Sequence, residues 1–279
     1  MGEKNIIQKL NTAIKFIKET IKDFQPTIGI ILGSGLGNIA ESVEKKTLIP
    51  YHEVPYMPTS TVSGHIGNFI FGYLEDKPVV IMQGRIHYYE GYTLQEVTFP
   101  IRIMQKLNVK YLILTAAVGG IKGNLPLKPA DIVVIKDHIN LMGDNPLCGP
   151  HYEEFGERFP GMEQPYDLSL IQLTKDIARK HKIPLYEGVY LATKGPSYET
   201  KAEVAAFKKL GADVIGMSVV PEVIVATQAK IKVLAICYVA NLATGLSKKP
   251  LSHKDVLEIG TTVAGRLNKL IKNVVKNIQ

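Results

Sequence analysis

Several short segments of this sequence place donors for an anion, or partners for a flat heterocycle, directly after runs that read as strands. The first is Gly33-Ser34-Gly35-Leu36-Gly37, behind the β-branched run 27–32. Its glycines permit dihedrals that let backbone N–H groups converge on an anion, and Ser34 adds a hydroxyl. The segment QGRIHYYEG at 83–91 puts Arg85 and His87 beyond the run 78–82, at a strand end of the kind where α/β proteins build their sites. TAAVGG at 115–120 reads as a glycine turn closing another strand, able to aim N–H groups at an anion or simply to reverse the chain. In GPSYET at 195–200 the ring of Tyr198 stands beside the carboxylate of Glu199. That pairing suits a heterocycle that stacks on the one and donates N–H bonds to the other. Gly216-Met217-Ser218 offers a further hydroxyl, and Asn241, behind the apolar run 233–239, an amide that both donates and accepts.

Each segment also has a plainer reading. The glycine turns could be only tight turns, Arg85 could pair with Glu90, and His87 could be a satisfied histidine. Glu199 could complement a helix dipole, Met217 could be core packing, and Asn241 a structural amide. His65, in VSGH, and His253 would ordinarily be incidental loop and surface histidines. Other chemistries are poorly supported. Asn38 stands where the third glycine of a dinucleotide fingerprint belongs, and Ser34 lacks the spacing of a nucleophile elbow. The histidines show no metal-ligand spacing, and Cys148 and Cys237 form neither a CxxC pair nor a disulfide framework, so no metal is expected.

The elements that would position these groups alternate along the chain. Apolar residues at steps of three and four predict a helix over 6–24 ended by Pro26, and further helices at 93–107, 167–181, 200–210, 221–229 and 252–277, the last capped by Ser252. Strands are expected at 27–32, 69–73, 78–82, 111–115, 132–135, 188–192, 213–217 and 233–239. This is an α/β pattern with a parallel or mixed central sheet covered by helices. No linker divides it, so one domain over 1–279 is expected, with 140–166 a long surface excursion. A chain with 46% hydrophobic and 21% charged residues sits near the globular average, which excludes a disordered or fibrous protein. The net charge of +7 comes without Lys/Arg blocks, which favours small anions over nucleic acid. Met-Gly-Glu-Lys opens no signal peptide, and the longest apolar stretch, 233–246, is too short for a bilayer and contains Asn241. A cytoplasmic protein without membrane contact is expected.

Taken in order, GSGLG at 33–37, STVSGHIG at 60–67, QGRIHYYEGY at 83–92, DHINLMGDNPLCGP at 137–150, RFPGM at 158–162, GPSYET at 195–200, GADVIGMSVVPEV at 211–223, and NLATG with LSHKDV around 241–256 resemble the trimeric class of purine nucleoside phosphorylases. The resemblance spans nearly the whole chain. It implies a single α/β domain whose mixed sheet partly closes into a barrel flanked by helices, assembled as a homotrimer with sites near subunit interfaces. The implied reaction is reversible phosphorolysis of purine (deoxy)ribonucleosides in purine salvage, with inorganic phosphate as co-substrate and no cofactor. By resemblance, phosphate is held by Ser34, His65, Arg85, His87, Ser218 and the backbone N–H of Ala117. The sugar is held by Tyr89, the backbone of Met217, His253 and a neighbouring subunit's Phe159. The base lies on Tyr198 between Glu199 and Asn241, and the groups implied to act in catalysis are Asn241, Glu199 and His87.

Such chemistry needs no covalent intermediate. Positive charge grows on the sugar and negative charge on the departing purine, so phosphate stabilises the first and donors near the base stabilise the second. Glu199 would accept from the N1–H of a 6-oxopurine, which favours inosine and guanosine over adenosine. The sequence departs from the family pattern at Ala240, where many relatives carry a threonine beside the asparagine, and at Ala116, Val118 and Tyr198. Ala240 leaves Asn241 less steadied, so looser base selectivity is one expectation. The rival readings are a methylthioadenosine phosphorylase, disfavoured by Asn241 where that branch is expected to carry aspartate, an NAD-dependent oxidoreductase, disfavoured by Asn38, and a non-catalytic nucleoside- or phosphate-binding module.

Overall fold

The apolar stripe near the N-terminus forms α1 (Ile6–Ile21), opened by a capping box between Asn5 and Gln8 and burying Leu10, Ala13, Ile17 and Ile21. The helix stops short of the expected end at Pro26, because Lys22 turns to φ +56° and donates its N–H to the Lys18 carbonyl. Phe24, expected on the same helical stripe, packs edge-on against Phe71 and Tyr73 instead. This computed structural model describes residues 5–33, 37–62, 66–121, 125–247 and 253–279.

Nine strands among these residues make one mixed sheet: β1 (Ile28–Leu32), β2 (Glu44–Pro50), β3 (Asn68–Leu74), β4 (Lys77–Gln83), β5 (Tyr111–Gly120), β6 (Ile132–Asn140), β7 (Leu185–Ala192), β8 (Val214–Gly216) and β9 (Lys232–Leu242). β2, β3 and β4 form an antiparallel wing, and β4, β1 and β5 continue it in parallel. Beyond β5 the sheet curls into a ring, β5–β8–β7–β6–β9, which closes because β9 pairs back onto β5. The expected α/β fold with a partly closed mixed sheet is therefore present.

β5 is the strand on which the closure turns. One edge is covered by β9 along its whole length. The other is covered by β1 only at residues 111–114 and by β8 only at Gly119 and Gly120. The glycine pair expected to form a turn is thus the end of a ten-residue strand. A Cβ on Gly119 would lie 3.0 Å from Ile215 Cγ2 and 3.5 Å from Asn241 Nδ2, so the approach of β8 and β9 selects glycine here.

Two other expectations need correcting. β2 was not expected, because its Glu-Lys-Lys start and terminal proline lack a strand pattern; among the described strands it pairs only with β3. The helix expected over 93–107 divides into α2 (Leu94–Val97) and α3 (Phe99–Lys106), since Pro100 in the first turn of α3 has no N–H for the preceding turn. The remaining helices, α4 (Leu168–Lys180), α5 (Lys201–Lys209), α6 (Val220–Gln228) and α7 (His253–Asn277), lie where the spacing puts them. Ser252, the expected cap of α7, lies outside the described residues.

The segment 140–166 is an excursion with a single short helical turn, and a cluster of side chains anchors it. The guanidinium of Arg102 stacks 4.2 Å from the Phe155 ring centroid and donates to Gln105 and Gln228. Those amides donate in turn to the carbonyls of Phe155 and Glu157. Arg158 donates to the carbonyls of Leu147 and Gly149, and Gln95 to that of Cys148. The groups border a cavity of about 630 Å³ between α3 and the excursion. Next along the excursion Phe159 stands 86% exposed, with the Arg158 guanidinium 5.8 Å from its ring centroid.

Candidate active site

A cleft of about 130 Å³ opens where the uncovered edge of β5 separates β1 from β8. Its walls bring together Arg85, His87, Tyr89, Ala117, Tyr198, Glu199, Met217, Ser218 and Asn241, residues that the sequence scatters over half the chain. Ser34 and His65 lie outside the described residues, as does the side chain of His253, whose backbone begins α7. Phe159 does not line the cleft of its own chain.

Arg85, just past the end of β4, is only 2% exposed. One of its amino groups donates to the Thr115 carbonyl, and the other lies 3.4 Å from Glu222 in the first turn of α6. Glu222, not Glu90, is thus the acid beside Arg85. Thr115 is itself a junction, for its hydroxyl donates to the Ile31 carbonyl and accepts from the Gly33 N–H. A Cβ on Gly33 would come 2.7 Å from the Thr115 carbonyl oxygen, so the glycine lets β1 end against β5.

The Thr115 carbonyl points toward Arg85 and hence away from β9. Backbone groups alternate along a strand, so the Ala117 N–H lies on that same edge, within the stretch covered by neither β1 nor β8. It is a donor held in place by the sheet, and its supply does not depend on the side chains at 116 or 118.

His87 is ordered by Glu90. One carboxylate oxygen accepts from the His87 backbone N–H at 2.7 Å and lies 3.1 Å from Nδ1; the other accepts from the Thr61 N–H and hydroxyl. A carboxylate at Nδ1 keeps the proton there, which makes Nε2 the acceptor nitrogen of the ring. Burial lowers the His87 pKa despite the Glu90 bond, so at neutral pH Nε2 is an acceptor suited to the hydroxyl of hydrogen phosphate. The ring also stacks on Tyr89 at 4.7 Å, and burial foremost, with the Glu90 charge, pushes the Tyr89 phenol up to about 12.

For Glu90 burial acts upward, but hydrogen bonds from His87 and Thr61 outweigh it and bring the pKa down to about 2. A depressed carboxylate pKa stabilises the fold above the unfolded value and loses that contribution as pH falls through the folded one. Glu90→Gln is therefore expected to be less stable than the parent at neutral pH, with the difference shrinking between about pH 4.5 and 2. Urea unfolding across that range checks this, and a difference independent of pH would contradict it.

Ser218 is presented by a strained turn. Val219 has φ +71° and ψ −57°, and the Val220 N–H donates to the Ser218 carbonyl at 2.8 Å, which defines a γ-turn at the start of α6. A β-branched residue in this conformation is costly and persists only where its surroundings enforce it. Here Tyr190 supplies part of that enforcement. Its hydroxyl accepts from the Ser218 N–H at 3.3 Å and fills the space above Gly216, where a Cβ would be 2.1 Å away.

Farther along β5 the cleft changes character. Asn241 sits beside Gly119, four residues past the Thr115 anchor of Arg85, or about 13 Å at strand rise. Its Nδ2 donates to the Leu242 carbonyl at 3.0 Å, which fixes the amide without using its oxygen. Glu199 accepts from the Thr244 N–H at 2.9 Å through Oε1, and no described group bonds Oε2. The helix-charge alternative for Glu199 is taken up elsewhere, since Thr200 and Glu203 form the capping box of α5. Tyr198 is 42% exposed, with its ring bordering the cleft. Ala240 also borders it and brings no hydroxyl. Met217 lies against Gly195, where a Cβ would be 2.3 Å from its sulfur, so it lines the cleft instead of filling the core.

The sequence reading missed Thr115, Tyr190, Glu222 and Thr244 and assigned Glu90 to Arg85 instead of His87; all five hold a cleft residue and none lines the cleft. Glu90 was the most accessible of them, three residues after His87 and able to close a turn.

Comparison with known proteins agrees with this geometry. Residues 27–276 match the family described as the phosphorylase superfamily. The chain is 46% identical over 267 residues to purine nucleoside phosphorylase 1 of Bacillus subtilis, covering 96% of this chain and 97% of that protein. The crystal structure of Schistosoma mansoni purine nucleoside phosphorylase in complex with inosine superposes with a TM-score of 0.91 at 38% identity, covering 98% of this chain and 97% of that one. The same enzyme in complex with adenosine gives 0.92 at 38% identity and 98% coverage of each chain. The chain belongs to the phosphorylase superfamily and, within it, to the purine nucleoside phosphorylases.

Proposed function

We propose that this chain catalyses the reversible phosphorolysis of purine ribo- and deoxyribonucleosides, with inosine and guanosine as preferred substrates. The observation that carries this is one cleft with two chemistries. An anion end is built on Arg85, His87, Ser218 and the Ala117 N–H, and a heterocycle end on Tyr198, Glu199 and Asn241, with a nucleoside-sized interval of strand between them.

In this reading phosphate sits against Arg85 and attacks the anomeric carbon as the glycosidic bond opens. His87 Nε2 accepts the phosphate hydroxyl, and Ser218 and Ala117 donate to the remaining oxygens. The growing negative charge of the purine is met by the Asn241 amide at N7, while Glu199 Oε2 accepts the N1–H of a 6-oxopurine. Adenosine has no N1–H to offer, which leaves the carboxylate without its donor. The Schistosoma mansoni enzyme has been crystallised with adenosine, so the site of that protein admits a 6-aminopurine nucleoside.

Release of free base from inosine, guanosine, adenosine and methylthioadenosine, each with and without phosphate, tests the reading. Fast, phosphate-dependent cleavage of the first two is expected. Adenosine cleaved equally fast would refute the Glu199 account, and methylthioadenosine cleaved fastest would favour the other branch of the fold. The absence of any cleavage would leave a binding module.

The exposed Phe159, on an arm anchored as firmly as the excursion is, supports assembly as a homotrimer in which it completes a neighbour's nucleoside site. Phe159→Ala is expected to raise the nucleoside KM about tenfold, the cost of losing one aromatic anchor, with the assembly intact by sedimentation. An unchanged KM in an intact assembly would reject that role. Two cysteines without a disulfide partner support a reducing, cytoplasmic setting, where such an activity serves purine salvage.

A further inference from the structure

Glu222 is the carboxylate beside Arg85, and it is held in an unusual way. It is 3% exposed, Oε1 stands 3.4 Å from the guanidinium, and Oε2 has no hydrogen-bond partner among the described residues. A buried arginine pair that serves only as scaffold closes to shorter, often bidentate contacts, because each unmet lone pair of a desolvated carboxylate is costly. The orphaned oxygen therefore needs an explanation beyond packing. Glu222 does not line the cleft, so it is not placed to touch substrate. Its charge nevertheless stands one guanidinium away from the anion end. The γ-turn that presents Ser218 also leads directly into the turn of α6 that carries Glu222.

We propose that Glu222 is a built-in counter-ion that competes with phosphate for Arg85. It neutralises the buried guanidinium when no anion is bound, and its repulsion limits how tightly phosphate, and the pentose phosphate formed from it, are held. A reversible enzyme benefits on both counts: the cation is kept in place between turnovers, and an anionic product is not retained by an uncompensated arginine. The inference rests on reading the cleft as a phosphate site.

The discriminating variant is Glu222→Gln, which keeps an oxygen to hold Arg85 and removes only the charge. Calorimetric titration with inorganic phosphate, without nucleoside, is expected to show about tenfold tighter binding than in the parent. In turnover, the phosphate KM falls by a similar factor, the nucleoside KM stays put and kcat does not rise. A purely positioning role predicts phosphate binding that is unchanged or weaker, and either result would overturn the proposal. Should Glu222→Gln fail to fold, Glu222→Met removes the same charge with a side chain of similar length and is held to the same sign. A parent protein that binds phosphate, with no gain in either variant, defeats this inference alone. A parent that does not bind phosphate defeats the phosphate-site reading and this inference together.

Discussion

Asn241→Ala is expected to lower kcat about 10²–10³-fold, the usual consequence of removing a donor aimed at charge that develops in the transition state. Phosphate affinity should hardly change, because Asn241 stands beside Gly119, at the opposite end of the cleft from Arg85. The fold should tolerate the change. The amide donates to the adjacent Leu242 carbonyl, and the side chain is only partly buried. Single-turnover base release together with phosphate titration makes the measurement. A variant that loses phosphate binding in proportion to turnover would show that the division of the cleft into two ends is wrong.

For Arg85→Ala the expected pattern is the reverse, with a stability cost added. Phosphate KM should rise at least about 100-fold, as when a buried, charge-assisted contact is removed from an anion. The same truncation leaves the Glu222 carboxylate buried without its cation, which costs about 3–5 kcal/mol. Combining Arg85→Ala with Glu222→Gln should restore much of that stability, and of the phosphate affinity only the small share that the Glu222 charge suppresses. Denaturant midpoints of the two variants, beside their phosphate KM values, separate the effects. A double variant no more stable than Arg85→Ala would mean that the pair contributes little to the fold.

Most strands and helices were legible because their apolar spacing is local, and so were the cleft residues that follow strand ends. What escaped the sequence was set by distant partners. Gly119-Gly120 reads as punctuation, since glycine pairs usually break a strand. Only the approach of Ile215 and Asn241 reveals them as the places where two strands crowd a third. β2 carries charges along an edge that the sequence alone does not identify as an edge. The supports of the cleft were hidden for the same reason. Thr115 and Glu222 meet Arg85 only after the sheet has formed, and the Tyr190 hydroxyl finds Ser218 only across β7 and β8. The γ-turn at Val219 was hidden more deeply still, because valine is among the last residues a local rule would place at φ +71°.

The gap along β5 has a dynamic consequence. Between residues 114 and 119 no described strand joins the open wing of the sheet to the ring on that edge, so the wing and ring can breathe there without breaking a described ladder. A phosphate spanning Arg85, Ala117 and Ser218 would act as a rivet across that seam, tying β4, β5 and the start of α6 to a single ion. Saturation with phosphate should then slow amide hydrogen exchange at the ends of β1 and β8, on both sides of the seam, and leave the far wing of β2 and β3 exchanging as before.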